Sequence, residues 1–126
     1  MVQISSENQV KNSIIEFLIY SGFLVLRVNS GAFSDEHNGK RRFVSFVKWF
    51  CRGSEAQTAG ISDILAFHPS FGREGKPLAL AVETKRPGKV ANVSEAQKRF
   101  LSAWTEHGGY WVVAESIDDV IRGLSQ

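Results

Sequence analysis

The 126-residue sequence predicts an α/β fold in a single domain: a mixed sheet flanked by helices. Three observations lead to it. Apolar residues recur at helical spacing at both ends of the chain and once between them. Short apolar and β-branched runs of strand length lie between those segments. Glycine, proline and small polar residues punctuate the boundaries. The length suits one compact domain with a modest core.

The elements follow in order. Ser6–Tyr20 is predicted as a helix whose buried stripe is Val10, Ile14, Phe17 and Leu18, widened by Ile15 and Ile19, with Gly22 ending it. Phe23–Asn29 reads as a strand. Ser30–Gly39, small and polar, reads as a loop. Arg42–Phe50, apolar and aromatic, reads as a strand, and Arg52–Gly60 as a second loop. Ile61–His68 and Leu78–Lys85 read as two strands of a hairpin joined by the turn region Pro69–Pro77. After the loop Arg86–Val93, Ser94 opens a helix that runs to His107, with Phe100, Leu101 and Trp104 facing the core and Gly108-Gly109 stopping it. Tyr110–Ala114 is a strand. Ser116 caps a last helix carrying Ile117, Val120, Ile121 and Leu124 on one face, with Asp119 in capping-box position.

Composition excludes several classes. No apolar run is long enough to span a bilayer, and no basic-then-apolar leader opens the chain. Cys51 is the only cysteine, so an intrachain disulfide and a multi-cysteine zinc site are both excluded. A reducing, cytoplasmic compartment is expected. His37, His68 and His107 show no local ligand spacing. The net charge of +2 says little by itself. Its distribution says more: Lys40, Arg41, Arg42, Lys48 and Arg52 crowd one stretch, and Lys85, Arg86 and Lys89 another. Two solvated basic segments would look the same.

Strand parity singles out one constellation. Glu83 and Lys85, two residues apart on a strand, share a face with the small Ala79 and Ala81, while Leu78, Leu80 and Val82 point the other way. A hairpin centred near Arg73 pairs Leu65 with Ala81, Phe67 with Ala79, and Asp63 with Glu83. A slip of one residue would break this convergence. Two opposed carboxylates repel unless a cation lies between them, and a hard divalent ion such as Mg²⁺ or Mn²⁺ takes oxygen ligands of this kind. A lysine beside them can orient a water or neutralise charge developing on a phosphoryl group, which is equipment for phosphodiester hydrolysis. By helix phase Glu7 falls in the sector of Val10, Ile14, Phe17 and Leu18, and Glu16 falls opposite.

Each residue has a simpler reading. Asp63 can be a turn or edge acid, although a charge between Ile61 and Leu65 is costly. Glu83 and Lys85 can be a same-face ion pair. Glu7 can serve the helix dipole. Together, however, they favour a site.

The same residues resemble a known signature. Gly60-Ile61-Ser62-Asp63 followed by Glu83-Thr84-Lys85 is similar to the motif of the PD-(D/E)XK nucleases, with Ser62 where the motif's name has proline. The α-β-β-β-α-β order resembles that superfamily's restriction-endonuclease-like core. Glu7 on the first helix, Arg27-Val28-Asn29-Ser30-Gly31 after the first strand, and Ser94-Glu95-Ala96-Gln97 opening the second helix resemble the virus-type replication-repair nuclease, or VRR-NUC, family over nearly the whole chain. The resemblance implies a stand-alone nuclease domain of a bacterial cell or a phage-infected host. It implies metal binding by Asp63, Glu83 and the Thr84 carbonyl, water positioning by Lys85, support from Glu7, and contact with the site or substrate by Gln97. Ser94 and Gln97 also form a capping-box pattern, and both roles can hold at once.

The partner this implies is DNA, in the form of a Holliday junction or another branched structure, which a homodimer would match in symmetry. Arg27, Arg41, Arg42, Lys48, Arg52, Arg86 and Lys89 are the candidates for phosphate contact, which positions DNA without reading its sequence. Phe43, Phe46, Trp49 and Phe50 are expected either in a dimer interface or in the core. Two alternatives stay open: a module of the same fold that binds nucleic acid without cutting it, and a domain in which these charges merely pair.

Overall fold

The computed structural model describes residues 6–28, 30–35, 40–45, 47–54 and 59–125, with the backbone alone for 30–35, 40–45 and 73. Among these residues three α-helices and six strands follow in the order α1 (Glu7–Tyr20), β1 (Leu24–Arg27), β2 (Ser30–Asp35), β3 (Lys40–Ser45), β4 (Ile64–His68), β5 (Leu78–Thr84), α2 (Glu95–Glu106), β6 (Tyr110–Ala114) and α3 (Ile117–Leu124), with a short 3-10 turn at Arg73–Gly75. β1, β4, β5 and β6 form a mixed four-stranded sheet in the order β1-β4-β5-β6, with only β5 and β6 parallel. Omitting the β2–β3 hairpin, a separate two-stranded sheet, leaves the α-β-β-β-α-β succession followed by α3.

The sheet is covered on both faces. Ile64, Ala66, Leu80, Val82, Val112 and Ala114 face Val10, Ile14 and Leu18 of α1 and Val120 of α3. Leu65, Ala81 and Val113 lie with Phe100, Leu101 and Ala103 of α2 and with Trp49 on the other side. The alternation follows from the period of two along each strand, and each fully buried Leu or Ile contributes about 1.5–3 kcal/mol. Trp49 is fixed there by its indole N–H donating to the Ala59 carbonyl at 2.8 Å. Phe50, 67% exposed, is not core, and Phe43 and Phe46 lie outside the described side chains.

Both long helices start on reciprocal caps. Ser6 Oγ accepts from Gln9 N–H while the Gln9 side chain accepts from Ser6 N–H, and Ser94 and Gln97 repeat the pattern at α2. At α3 Ser116 does cap Asp119 N–H, but the Asp119 carboxylate takes the Glu115 N–H instead of closing the box. Gly22, at φ +92°, turns the chain out of α1.

Four sequence expectations need correction. Ser30–Asp35 is strand β2, not loop. The next strand spans Lys40–Ser45, and 47–50 is irregular rather than its continuation. β4 begins at Ile64, because 60–63 bends along the start of α2 instead of pairing as strand. Ile19 is 56% exposed, since it lies on the helix side opposite Val10.

Candidate active site

The hairpin register delivers two acids to one end of the sheet. β4 and β5 pair Ile64 with Val82, Leu65 with Ala81 and Phe67 with Ala79. One step beyond the Ile64–Val82 pair stand Asp63 and Glu83. Asp63 is held by its backbone, whose carbonyl accepts from Val28 N–H at 2.8 Å, and by its side chain. Asp63 Oδ2 accepts from the Thr84 backbone N–H at 3.0 Å and from Thr84 Oγ1 at 2.8 Å. Thr84 is fully buried, so its two donors fix the carboxylate against β5.

Glu83 is only 3% exposed. Its Oε1 accepts from Gln97 Nε2 at 2.9 Å. Its Oε2 is buried and receives no hydrogen bond from any described group. Burial, and next the charge of Asp63, push the Glu83 carboxyl up to about 9. Lys85 opposes them, while the charge of Glu7 adds to the rise.

Gln97 links this pair to the lysine. Its Oε1 accepts from Ser94 N–H at 2.9 Å, completing the α2 cap, and from Lys85 Nζ at 3.2 Å. One amide therefore caps a helix, orients Lys85 and holds Glu83. The seating of α2 depends on Gly60: at φ +91° it tolerates a conformation that L side chains resist, and a Cβ there would collide with the Ala96 carbonyl.

Sequence reasoning misses one residue. Lys11 Nζ lies 3.5 Å from Asp63 Oδ1, with 15% and 13% of the two side chains exposed. The signal is present: Lys11 lies within about 20° of Leu18 around the helix axis, inside the sector that singles out Glu7. Glu7 itself is exposed in the first turn of α1, near enough for its charge to reach Glu83. It does not make a third inward acid, and no group of three or more His, Cys, Asp or Glu side chains converges among the described residues. Glu16 is exposed, as its helix phase requires.

The basic residues divide. Lys48, Arg52, Arg86 and Lys89 are exposed. Arg27 is exposed but engaged: its guanidinium donates to Asn8 Oδ1 at 2.7 Å and Asn12 Oδ1 at 3.4 Å, tying β1 to α1. Arg41 and Arg42 lie on β3, and their side chains are outside the described set. Ser62, at the position of the signature's proline, is fully buried, with no partner for its hydroxyl among the described residues. A hollow lined by Phe71, Leu78, Tyr110 and Leu124 opens at the other end of β5 and contains no acid, so the paired carboxylates stand apart from it.

The donor set fits a hard divalent cation. Two carboxyl groups lie together, one already tied by Thr84 and one by Gln97, and among the described residues the buried Glu83 Oε2 has no donor to offset its desolvation. A cation on that oxygen would reverse the upward pressure on Glu83. Residues 6–118 match the family model described as the VRR-NUC domain. No curated protein and no solved structure matches the chain.

Proposed function

The chain belongs to the VRR-NUC domain family, a nuclease family, and from that premise we propose that it is a Mg²⁺- or Mn²⁺-dependent DNA endonuclease acting on branched DNA. One observation carries the metal dependence: the buried, unpartnered Glu83 Oε2 beside Asp63. Asp63, Glu83 and the Thr84 carbonyl would hold the ion. Bound there, it would polarise the phosphate and lower the pKa of a water.

The protein's own groups act around that centre. Thr84 keeps Asp63 from rotating, and Gln97 keeps Glu83 and Lys85 at a fixed separation, so the reacting groups need no reorganisation. The Lys85 ammonium orients the water that attacks phosphorus and offsets charge building on the phosphoryl oxygens as the P–O ester bond breaks. Lys48, Arg52, Arg86 and Lys89 grip phosphates without reading bases. The branched substrate and a homodimer rest on family likeness: a two-fold protein places one site on each of two strands of a two-fold junction.

The test is a cleavage panel of junction, flap, duplex and single-stranded DNA with Mg²⁺, Mn²⁺ or EDTA. Metal-dependent cutting is expected, strongest on branched DNA. Asp63→Ala and Lys85→Ala should bind DNA normally and cut it roughly 10²–10³-fold more slowly. Full activity in either variant would overturn the site. Junction binding without cutting under any metal condition would identify a non-cleaving binding module instead.

A further inference from the structure

The carboxylate pair is flanked by two ammonium groups from opposite sides of the sheet. Lys85 reaches it from the α2 face through Gln97. Lys11 reaches it from α1, directly onto Asp63 Oδ1. The family reading gives Lys11 no role. Its place is nonetheless specific: it stands one helical turn after Glu7, its side chain is largely buried, and the oxygen it faces is the one Thr84 leaves open.

The three contacts on the Asp63 carboxylate are unequal. The Thr84 donors lie at 3.0 and 2.8 Å, within hydrogen-bond range, whereas Lys11 Nζ at 3.5 Å makes an ion pair without a short hydrogen bond. Lys11 is thus the contact that yields most easily. Asp63 and Glu83 would each supply an oxygen to a divalent ion. With Asp63 Oδ2 and Glu83 Oε1 held by protein donors, the oxygens left are Asp63 Oδ1, facing Lys11, and Glu83 Oε2.

We propose that Lys11 is the site's resident counter-cation: it holds Asp63 Oδ1 in the metal-free protein and competes with the divalent ion for that oxygen. This rests on the metal reading above and adds a residue that sets metal affinity. Without Lys11 the acids lose a compensating charge, so the metal-free protein loses stability. The incoming dication then has no ammonium to displace and no like charge beside it.

The test is calorimetric titration of the whole chain with Mn²⁺, backed by melting temperatures in EDTA and in Mn²⁺, for the wild type, Lys11→Met, Lys11→Gln and Lys11→Arg. Lys11→Met and Lys11→Gln should each melt lower than the wild type in EDTA, bind Mn²⁺ roughly fivefold more tightly, and show a larger Mn²⁺-induced rise in melting temperature. Lys11→Arg, which keeps the charge, should stay near the wild type. Using both neutral variants guards against misfolding of either one. Mn²⁺ binding by the wild type that is unchanged or weakened in both neutral variants overturns the role of Lys11 alone. Absence of Mn²⁺ binding from the wild type and the neutral variants alike overturns the metal reading and this one with it.

Discussion

Glu83 carries the largest electrostatic tension among the described residues. Its carboxyl is buried next to another acid, and its pKa is raised from 4.5 to about 9. A group raised in this way contributes stability in full below its unfolded value, and that stability is lost as pH rises toward the folded value. In EDTA the wild type should therefore weaken steadily between about pH 5 and 9, whereas Glu83→Gln, which stays neutral, should weaken less and be the more stable protein at the alkaline end. Urea melts across that range check it, and parallel curves for the two proteins would mean that Glu83 is not held neutral. The two acids and Lys85 are legible from strand parity, because side-chain direction alternates with fixed period. Lys11 escapes a sequence reading for a different reason: a lysine beside an apolar stripe ordinarily extends its ammonium to water. Only the position of β4 turns it onto Asp63.

At the scale of elements, the site depends on how α2 is seated. The Ser94–Gln97 cap is readable as a pattern, and the structure shows the same Gln97 amide reaching Lys85 and Glu83. That reach requires Gly60 against the first turn of α2. Gly60→Ala should cost more than about 1 kcal/mol, combining a positive-φ penalty with displacement of the helix. It should also slow cleavage, because Gln97 moves with the helix. Chemical denaturation and the junction assay check both effects, and no change in either would mean that α2 does not depend on this close approach. The β2–β3 hairpin marks the limit of local reading. Ser30–Asp35 lacks β-branched residues, and its pairing with Lys40–Ser45 supplies what its own propensity does not.

At the scale of the whole molecule, the four-stranded sheet sets two helices on one face and one on the other, with the acids at its end. The positive charge around this end is local, since the net charge is only +2. Exposed Arg86 and Lys89 follow β5 and are two of the proposed phosphate contacts. Replacing either by serine should weaken binding evenly across DNA sequences. On duplex arms it should also reduce the slope of log K against log salt by about 0.9 for each phosphate released. Arg27→Met should act differently. It releases Asn8 and Asn12, so it should lower the melting temperature while leaving the salt slope nearly intact. Salt titrations of junction binding distinguish the cases, and an unchanged slope in both serine variants would move the DNA track elsewhere.

Three features can be read directly from the order of the amino acids: the succession of elements in the central sheet, the face shared by Glu83 and Lys85, and the hairpin register that sets Asp63 beside Glu83. They follow from local periodicities and from the distance to a turn, which need no knowledge of distant contacts. Four others arise only when the elements pack. Lys11 rather than Glu7 touches Asp63, Arg27 is occupied by α1, one amide serves both cap and site, and Glu83 Oε2 is buried without a donor. Each of these depends on how a helix lies across a strand. Such packing is fixed by close approaches such as Gly60 on Ala96, and periodicity along a single element does not encode the distance to its neighbour.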